Sequence, residues 1–214
     1  MKRVYLYTLY ERIWHWFQAA CILTLMATGA VMRRPEWFGL ADFHTAITIH
    51  NVLGLLLTGN AFLALFYHLT TGEIRQFLPE PRDFITLAVR QANYYVRGIF
   101  RGDPHPFERG PMHKLNPLQK ITYLVILNLL LPLQTATGLL MWGMEHRPES
   151  FPSFFDLGSL AAIHAAGSWL FAAFLIVHIY LTTTGPTPLT LIRAMIVGWD
   201  EIEDSHEPAS ESHS

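Results

Sequence analysis

Four long uncharged segments constrain this sequence more than any other feature. They cover residues 13–32, 45–67, 121–143 and 160–182, and each has at least 20 residues without Asp, Glu, Lys or Arg. A helix needs about 20 residues to cross a hydrocarbon core of roughly 30 Å at about 1.5 Å rise per residue. Only structures that satisfy their own backbone hydrogen bonds are stable in lipid. The sequence therefore predicts four transmembrane helices.

The distribution of basic residues predicts how these spans are oriented. With four spans, both termini lie on the same side as the long loop of residues 69–116. That side would carry 12 of the 15 Lys and Arg residues, and the opposite side only Arg33, Arg34 and Arg147. Positive charge concentrates on the cytoplasmic side of membrane proteins. We therefore expect an all-α integral membrane four-helix bundle with both termini in the cytoplasm.

Two further segments have the amphipathic pattern of helices that lie on a membrane surface. Residues 83–101 combine an apolar side with arginines, and residues 189–199 follow the fourth span. Pro132 lies inside the third span and predicts a kink there. Residues 200–214 are acidic and rich in small side chains, a composition typical of disorder. The sequence thus predicts one membrane domain, residues 1–199, without an internal repeat, followed by a disordered tail.

Histidines at the ends of the spans give the first indication of chemistry. His164 and His178 are 14 residues apart, about 40° short of four helical turns, so they share one face about 21 Å apart. His15 opens the first span on the inner side, level with His178, and His50 lies near the outer start of the second, level with His164. Two facing imidazoles can supply both axial ligands of a haem iron. We therefore predict two haem sites, His15 with His178 and His50 with His164.

The same residues leave alternatives open. His68 lies five helical turns beyond His50 and is a second candidate for the inner partner of His178. A non-haem metal enzyme would need histidines clustered at short spacing, and a structural membrane anchor would bind no haem. Cys21 is the only cysteine, which excludes an internal disulfide and a cysteine-ligated iron–sulfur cluster in this chain.

Small and polar residues extend the two predicted sites. Gly54 and Gly167 follow the outer histidines along their helices and would leave room for a porphyrin, although close helix packing explains them as well. Asn116 and Gln119 lie at the inner start of the third span, where they would hydrogen-bond a small polar head group. Helix capping explains this second pair equally well.

Several short motifs together resemble a known family. It is the membrane cytochrome b subunit of respiratory oxidoreductases, as in the gamma subunit of formate dehydrogenase, thiosulfate reductase cytochrome b and the b-type cytochrome of nickel–iron hydrogenases. The motifs are Arg12-Ile-Trp-His15-Trp, Thr28-Gly29, Ile49-His50-Asn-Val-Leu-Gly54, Asn116-Pro-Leu-Gln119-Lys120, Thr137-Gly138-Leu-Leu-Met-Trp142, His164-Ala-Ala-Gly167 and His178-Ile-Tyr180. The resemblance implies two haems b, the outer held by the second and fourth spans and the inner by the first and fourth.

The resemblance also implies a function and a location. Such a subunit lies in the bacterial cytoplasmic (inner) membrane and is not catalytic alone. It carries electrons between outer-face partners and a quinone, menaquinone or ubiquinone, bound near His178, Asn116 and Gln119. The partners would be iron–sulfur, molybdenum or hydrogenase subunits or a multihaem cytochrome c, and no nucleic acid. Leu118 stands where the formate dehydrogenase motif has glycine, and Pro117 has no counterpart there, which changes the shape of the quinone contact.

Overall fold

Four long apolar helices dominate the structure, a computed structural model that describes residues 2–34, 36, 42–78, 84–104, 106, 115–151 and 156–202. They are α1 (Leu9–Arg33), α2 (Phe43–Thr71), α4 (Pro117–His146) and α5 (Leu157–Thr182). Each is long and apolar enough to cross a membrane, and together they contain all four predicted spans. The prediction of an all-α membrane bundle is therefore confirmed.

The four spans pack as two antiparallel helix pairs. α1 lies along α2, α4 lies along α5, and α2 touches α4 between the pairs. Large apolar side chains point outward along these helices, and those of Phe62 and Trp169 are 68% and 77% exposed. Lipid tails are as apolar as these side chains, so this surface suits a bilayer.

Polar side chains at the helix starts set where the spans begin. Thr8 and Asp42 accept hydrogen bonds from free backbone amides of α1 and α2. Asp156 does the same for α5, where the amide of Ser159 donates to its carboxylate at 2.7 Å. Hydrogen bonds from Ser159 hold the pKa of the Asp156 carboxyl below its usual range. The first amides of a helix have no partner within it, so these side chains stabilise the start of each span.

α4 is irregular where the sequence predicts a kink. It consists of Pro117–Val125, a π-helical turn at Ile126–Leu130, and Leu131–His146. Pro132 has no amide hydrogen to donate, and its ring crowds the preceding turn, so a regular helix cannot continue there. The irregularity takes the form of a widened turn directly before Pro132, which is a common way to absorb such a conflict.

A shorter helix, α3, lies between the two helix pairs in the chain. It runs from Phe84 to Arg101, with a π-helical turn at Tyr94–Gly98, and packs on the start of α4. The Nδ2 of Asn116 donates to the buried hydroxyl of Tyr95 at 3.1 Å, which joins α3 to α4. This confirms the extent of the helix predicted over residues 83–101, except for Asp83, which lies outside the described residues.

The two ends of the chain form a small sheet that the sequence analysis did not predict. β1 (Lys2–Tyr5) pairs antiparallel with β2 (Trp199–Ile202), directly after helix α6 (Thr190–Val197). Gly198 joins α6 to β2 with a φ of +87°, and its carbonyl accepts from the amides of Leu6 and Tyr7 at 2.9 and 3.2 Å. Residues 200–202, the first three of the tail predicted to be disordered, belong to β2, where β1 supplies their backbone partners. Residues 203–214 lie outside the described part of the chain.

Candidate functional site

Four histidines meet as two pairs between the helices. The ring centres of His50 on α2 and His164 on α5 are 6.2 Å apart. Those of His15 on α1 and His178 on α5 are 6.1 Å apart. All four side chains are half-buried. The structure therefore brings together both of the pairs that the sequence predicts, and each pair joins helices from different antiparallel pairs.

The separation within each pair matches two imidazoles that share one metal ion. Metal–nitrogen bonds of about 2.0 Å, with about 1.15 Å more from each nitrogen to its ring centre, place the centres about 6.3 Å apart. A direct N–H···N hydrogen bond of about 2.9 Å would bring them to roughly 5.2 Å. The observed 6.1 and 6.2 Å agree with the first arrangement. In the described part of the chain, no three His, Cys, Asp or Glu side chains converge as a non-haem metal site would require.

Threonines contact the far edge of both rings in the outer pair. Thr28 Oγ1 lies 2.9 Å from His50 Nδ1, and Thr137 Oγ1 lies 2.8 Å from His164 Nδ1. Both threonines are buried, at 8% and 5% exposure. Since Nδ1 is occupied, Nε2 is the nitrogen of each ring that remains for a metal ion. The sequence alone does not predict this contact, although both threonines belong to a Thr-Gly dipeptide inside a span.

The glycine after each threonine lies against the same histidine ring. A Cβ at Gly29 would be 3.5 Å from His50 Cε1, and one at Gly138 would be 3.4 Å from His164 Cε1. Any side chain larger than a methyl group would therefore press on the ring. A Thr-Gly dipeptide on α1 thus contacts His50 of α2 in the same way that one on α4 contacts His164 of α5. The same arrangement therefore occurs twice at the outer pair. The sequence shows no internal repeat, because the feature shared by the two halves of this site is confined to two dipeptides.

The two glycines predicted to make room for a porphyrin differ in their surroundings. A Cβ at Gly54 would meet no atom within 4 Å among the described residues, so the space beside it is open. A Cβ at Gly167 would lie 3.0 Å from the side-chain amide of Gln134 on α4. That amide donates to Ser168 on α5 at 2.9 Å. Gly167 thus permits close packing of α4 on α5, which is the alternative that the sequence left open.

The inner pair has a different environment. The ring of His15 meets Trp16 edge-on, with centres 5.1 Å apart, and its buried Nδ1 has no hydrogen-bond partner among the described residues. The ring of His178 stacks on Phe174, with centres 5.5 Å apart and planes at 30°. Aromatic side chains therefore border both of these imidazoles.

The other three histidines in the described part of the chain do not join either pair. His68 packs against the rings of Trp14 and Tyr67, at 5.9 and 5.5 Å between centres, while His15 is the ring that faces His178. His44 is exposed near the start of α2, and His146 contacts Trp142 at the end of α4. The other four, at positions 105, 113, 206 and 213, lie outside the described residues.

Asn116 and Gln119 form a reciprocal cap at the start of α4. The amide of Gln119 donates to Asn116 Oδ1 at 2.9 Å, and the amide of Asn116 donates to Gln119 Oε1 at 3.0 Å. Asn116 is only 2% exposed, and its Nδ2 bonds Tyr95 as described above. The structure thus gives these residues the capping role that the sequence left as an alternative, and a quinone contact here stays a prediction.

Two curated bacterial proteins and one protein family are similar to this chain. It is 28% identical to the cytochrome YdhU of Escherichia coli K12 over 198 aligned residues. These residues cover 92% of this chain and 75% of the relative. It is 25% identical over 195 residues to the formate dehydrogenase cytochrome b556 subunit of Haemophilus influenzae, which covers 88% and 73%. The profile of the prokaryotic cytochrome b561 family matches residues 6–198, which include all four spans and both histidine pairs. The chain therefore belongs to the prokaryotic cytochrome b561 family, as a multi-pass bacterial membrane cytochrome that transfers electrons.

Proposed function

We propose that this chain carries electrons across the bacterial inner membrane by holding two haems b at different depths. His50 and His164 hold the outer haem, and His15 and His178 hold the inner one. The observation that carries this proposal is the ring-centre separation of 6.2 and 6.1 Å, which fits two imidazoles on one iron in both pairs. A haem iron with two imidazole ligands accepts and releases one electron at a time.

The surroundings of the histidines suit a flat, largely apolar group. Open space lies beside Gly54, one turn beyond His50. Within the first and second helix pairs the helices pack directly on each other, whereas α5 meets α1 and α2 through histidine rings. The spans around both pairs are apolar, and such surroundings influence the potential of a bound haem.

Charge and similarity support the proposed orientation and partners. The excess of basic residues supports a cytoplasmic location for both termini, and with them for His15 and His178. One relative is by name a subunit of formate dehydrogenase, which supports an oxidoreductase as the partner. We propose that this partner docks at the outer face, near His50 and His164, and that quinone exchanges electrons at the inner pair beside His178.

Haem content tests the proposal. We expect the purified wild-type chain to contain two haems b, measured as the pyridine haemochrome against protein concentration. His178→Ala should retain only the outer haem and His164→Ala only the inner one, because each substitution removes an axial ligand. His44→Ala, in an exposed histidine outside both pairs, is the matched control and should retain both.

The same variants test the quinone site. A reduced quinone should reduce the haem of His164→Ala but not that of His178→Ala, since only the former keeps the inner site. A colourless wild-type protein would refute haem binding and favour a structural anchor. Two intact haems in His178→Ala would refute the ligand assignment while leaving the family assignment in place.

A further inference from the structure

We propose that Thr28 and Thr137 are positioning residues of the outer haem site. They fix the protonation pattern of His50 and His164, and they make the outer site the one with the lower midpoint potential. This inference rests on the proposed haem ligation, and it adds a direction: electrons that enter at the outer face move downhill toward the inner pair.

Each of the two threonine hydroxyls donates a hydrogen bond to a backbone carbonyl. Thr28 Oγ1 donates to the carbonyl of Thr24 at 2.8 Å, and Thr137 Oγ1 donates to the carbonyl of Leu133 at 2.7 Å. A hydroxyl has one hydrogen to donate and two lone pairs to accept with. Each threonine oxygen therefore accepts from the histidine, so Nδ1 carries the proton and Nε2 presents its lone pair.

Both rings of the outer pair therefore have the same tautomer. Nδ1 carries the proton on each ring and faces its threonine, and Nε2 is the nitrogen that is left as a metal ligand.

The consequence for a bound metal follows from electron donation. An imidazole that donates its Nδ1–H to an acceptor is a more basic ligand through its other nitrogen, and a more basic ligand stabilises the more oxidised metal. Both outer ligands have such an acceptor. The buried Nδ1 of His15 has none among the described residues. The outer site should therefore have a lower midpoint potential than the inner site.

A redox titration of valine variants tests this role. Valine has the shape of threonine but no hydroxyl, so Thr28→Val with Thr137→Val removes the acceptors and leaves the packing. We expect the affinity of the outer haem for its electron to rise at least about threefold, an upward shift of about 28 mV for one electron. The inner haem should not move. Optical and electron paramagnetic resonance signals are assigned to the two haems with the His164→Ala and His178→Ala variants.

Two controls separate positioning from a general effect on the fold. Thr24→Val removes a hydroxyl from α1 that donates to the Ala20 carbonyl at 2.8 Å and, among the described residues, contacts neither histidine pair, so both potentials should stay at their wild-type values. Serine at positions 28 and 137 keeps the hydroxyl and should restore the wild-type outer potential. If the valine variant loses the outer haem while the serine variant keeps it, the hydroxyl is needed for ligation itself, which also supports positioning.

Other outcomes would overturn the inference. An unchanged outer potential in the double valine variant, with both haems present, would show that the threonines do not tune the site. Equal shifts of both haems, or a shift in Thr24→Val, would show a structural effect only, as would loss of the outer haem from the serine and valine variants alike. Absence of haem from the wild-type chain would instead refute the proposed function, so the two failures are distinguishable.

Discussion

The outer and inner histidine pairs have nearly the same separation but are built differently. In the outer pair, each histidine is supported by a Thr-Gly dipeptide on the neighbouring helix of its own antiparallel pair. In the inner pair, aromatic rings border both histidines, and the described residues offer no acceptor to His15 Nδ1. Nearly the same ring separation thus occurs once with hydrogen bonds from a neighbouring helix and once with aromatic contacts from the same helix.

Helix α6 is hydrogen-bonded to α1 beside the inner pair. Arg12 Nη1 donates to the carbonyl of Ile196 at 2.6 Å, and Trp16 Nε1 donates to the carbonyl of Met195 at 3.2 Å. These bonds attach α1, on both sides of His15, to α6 near the C-terminus. The contacts described above for the outer pair are all made by residues of the spans. We therefore expect the outer site to tolerate changes near the termini better than the inner site.

The haem content of two alanine variants distinguishes the two candidates for the inner haem ligand, His15 and His68. His15→Ala should remove one of two haems, because its ring is the one 6.1 Å from His178, whereas His68→Ala should keep both. Haem content and the inner-haem spectrum measure the difference. Retention of two haems in His15→Ala, with loss of one in His68→Ala, would transfer the ligand role to His68.

A substitution beside the outer pair should affect that pair alone. Gly138→Val would place methyl groups beyond the Cβ position that already lies 3.4 Å from His164 Cε1. The ring must move, and a metal site tolerates little misplacement of a ligand, so we expect outer-haem occupancy to fall by more than half. The inner haem should remain, as the separate redox signals would show.

Gly59→Val is the matched control for this prediction. Gly59 lies on α2, and a Cβ there would meet no atom within 4 Å among the described residues. Both haems should therefore remain in this variant. Equal loss of both haems in Gly138→Val would mean that the whole bundle is disturbed, and the outer site would then not be an independent unit.

The sequence predicts the parts of this molecule that depend on long, regular patterns. The four spans follow from uncharged length, and the two histidine pairs follow from helical spacing and the order of the spans. The Thr28–His50 bond could not be read in this way, because one hydroxyl against one ring nitrogen leaves no periodic signal. The pairing of β1 with β2 was also missed, since four-residue strands at opposite ends of the chain carry no mark of their partner.

Gly198, directly after α6, offers a test of whether α6 supports the inner pair. Gly198 has a φ of +87°, and a Cβ there would lie 2.7 Å from the carbonyl oxygen of Tyr7. Gly198→Ala should lower the free energy of unfolding by about 1–3 kcal/mol, the usual cost of a strained backbone position. Thermal unfolding in detergent measures this loss, and the inner-haem signal should disappear at a lower temperature than the outer one.

Gly102→Ala is the control for backbone strain without a clash. Its φ is +73°, but a Cβ at Gly102 would meet no atom within 4 Å in the described structure. We expect a smaller loss of stability, and no difference in the order in which the two haem signals disappear. If Gly198→Ala destabilises both haem signals equally, α6 does not support the inner pair selectively.

A role of Asn116 in capping and a role in quinone binding predict different results for substitutions of this residue. Asn116→Ala removes the cap of α4 and should lower the free energy of unfolding by about 1 kcal/mol. Asn116→Ser keeps a capping oxygen and should lose less. Because both polar atoms of Asn116 are bonded within the protein, the rate of haem reduction by added quinol should stay within about twofold of wild type.

Asp42→Ala provides the comparison, because Asp42 caps α2 at the opposite end of the bundle from the inner pair. If its loss of stability equals that of Asn116→Ala and quinol reactivity is retained in both, Asn116 acts as a cap. A tenfold slower reaction in both Asn116→Ala and Asn116→Ser, with normal kinetics in Asp42→Ala, would place the quinone head group at Asn116. The inner pair would then differ from the outer pair in two respects. A substrate site at the start of α4 would lie beside it, and its histidines would lack, among the described residues, the threonine contacts of the outer pair.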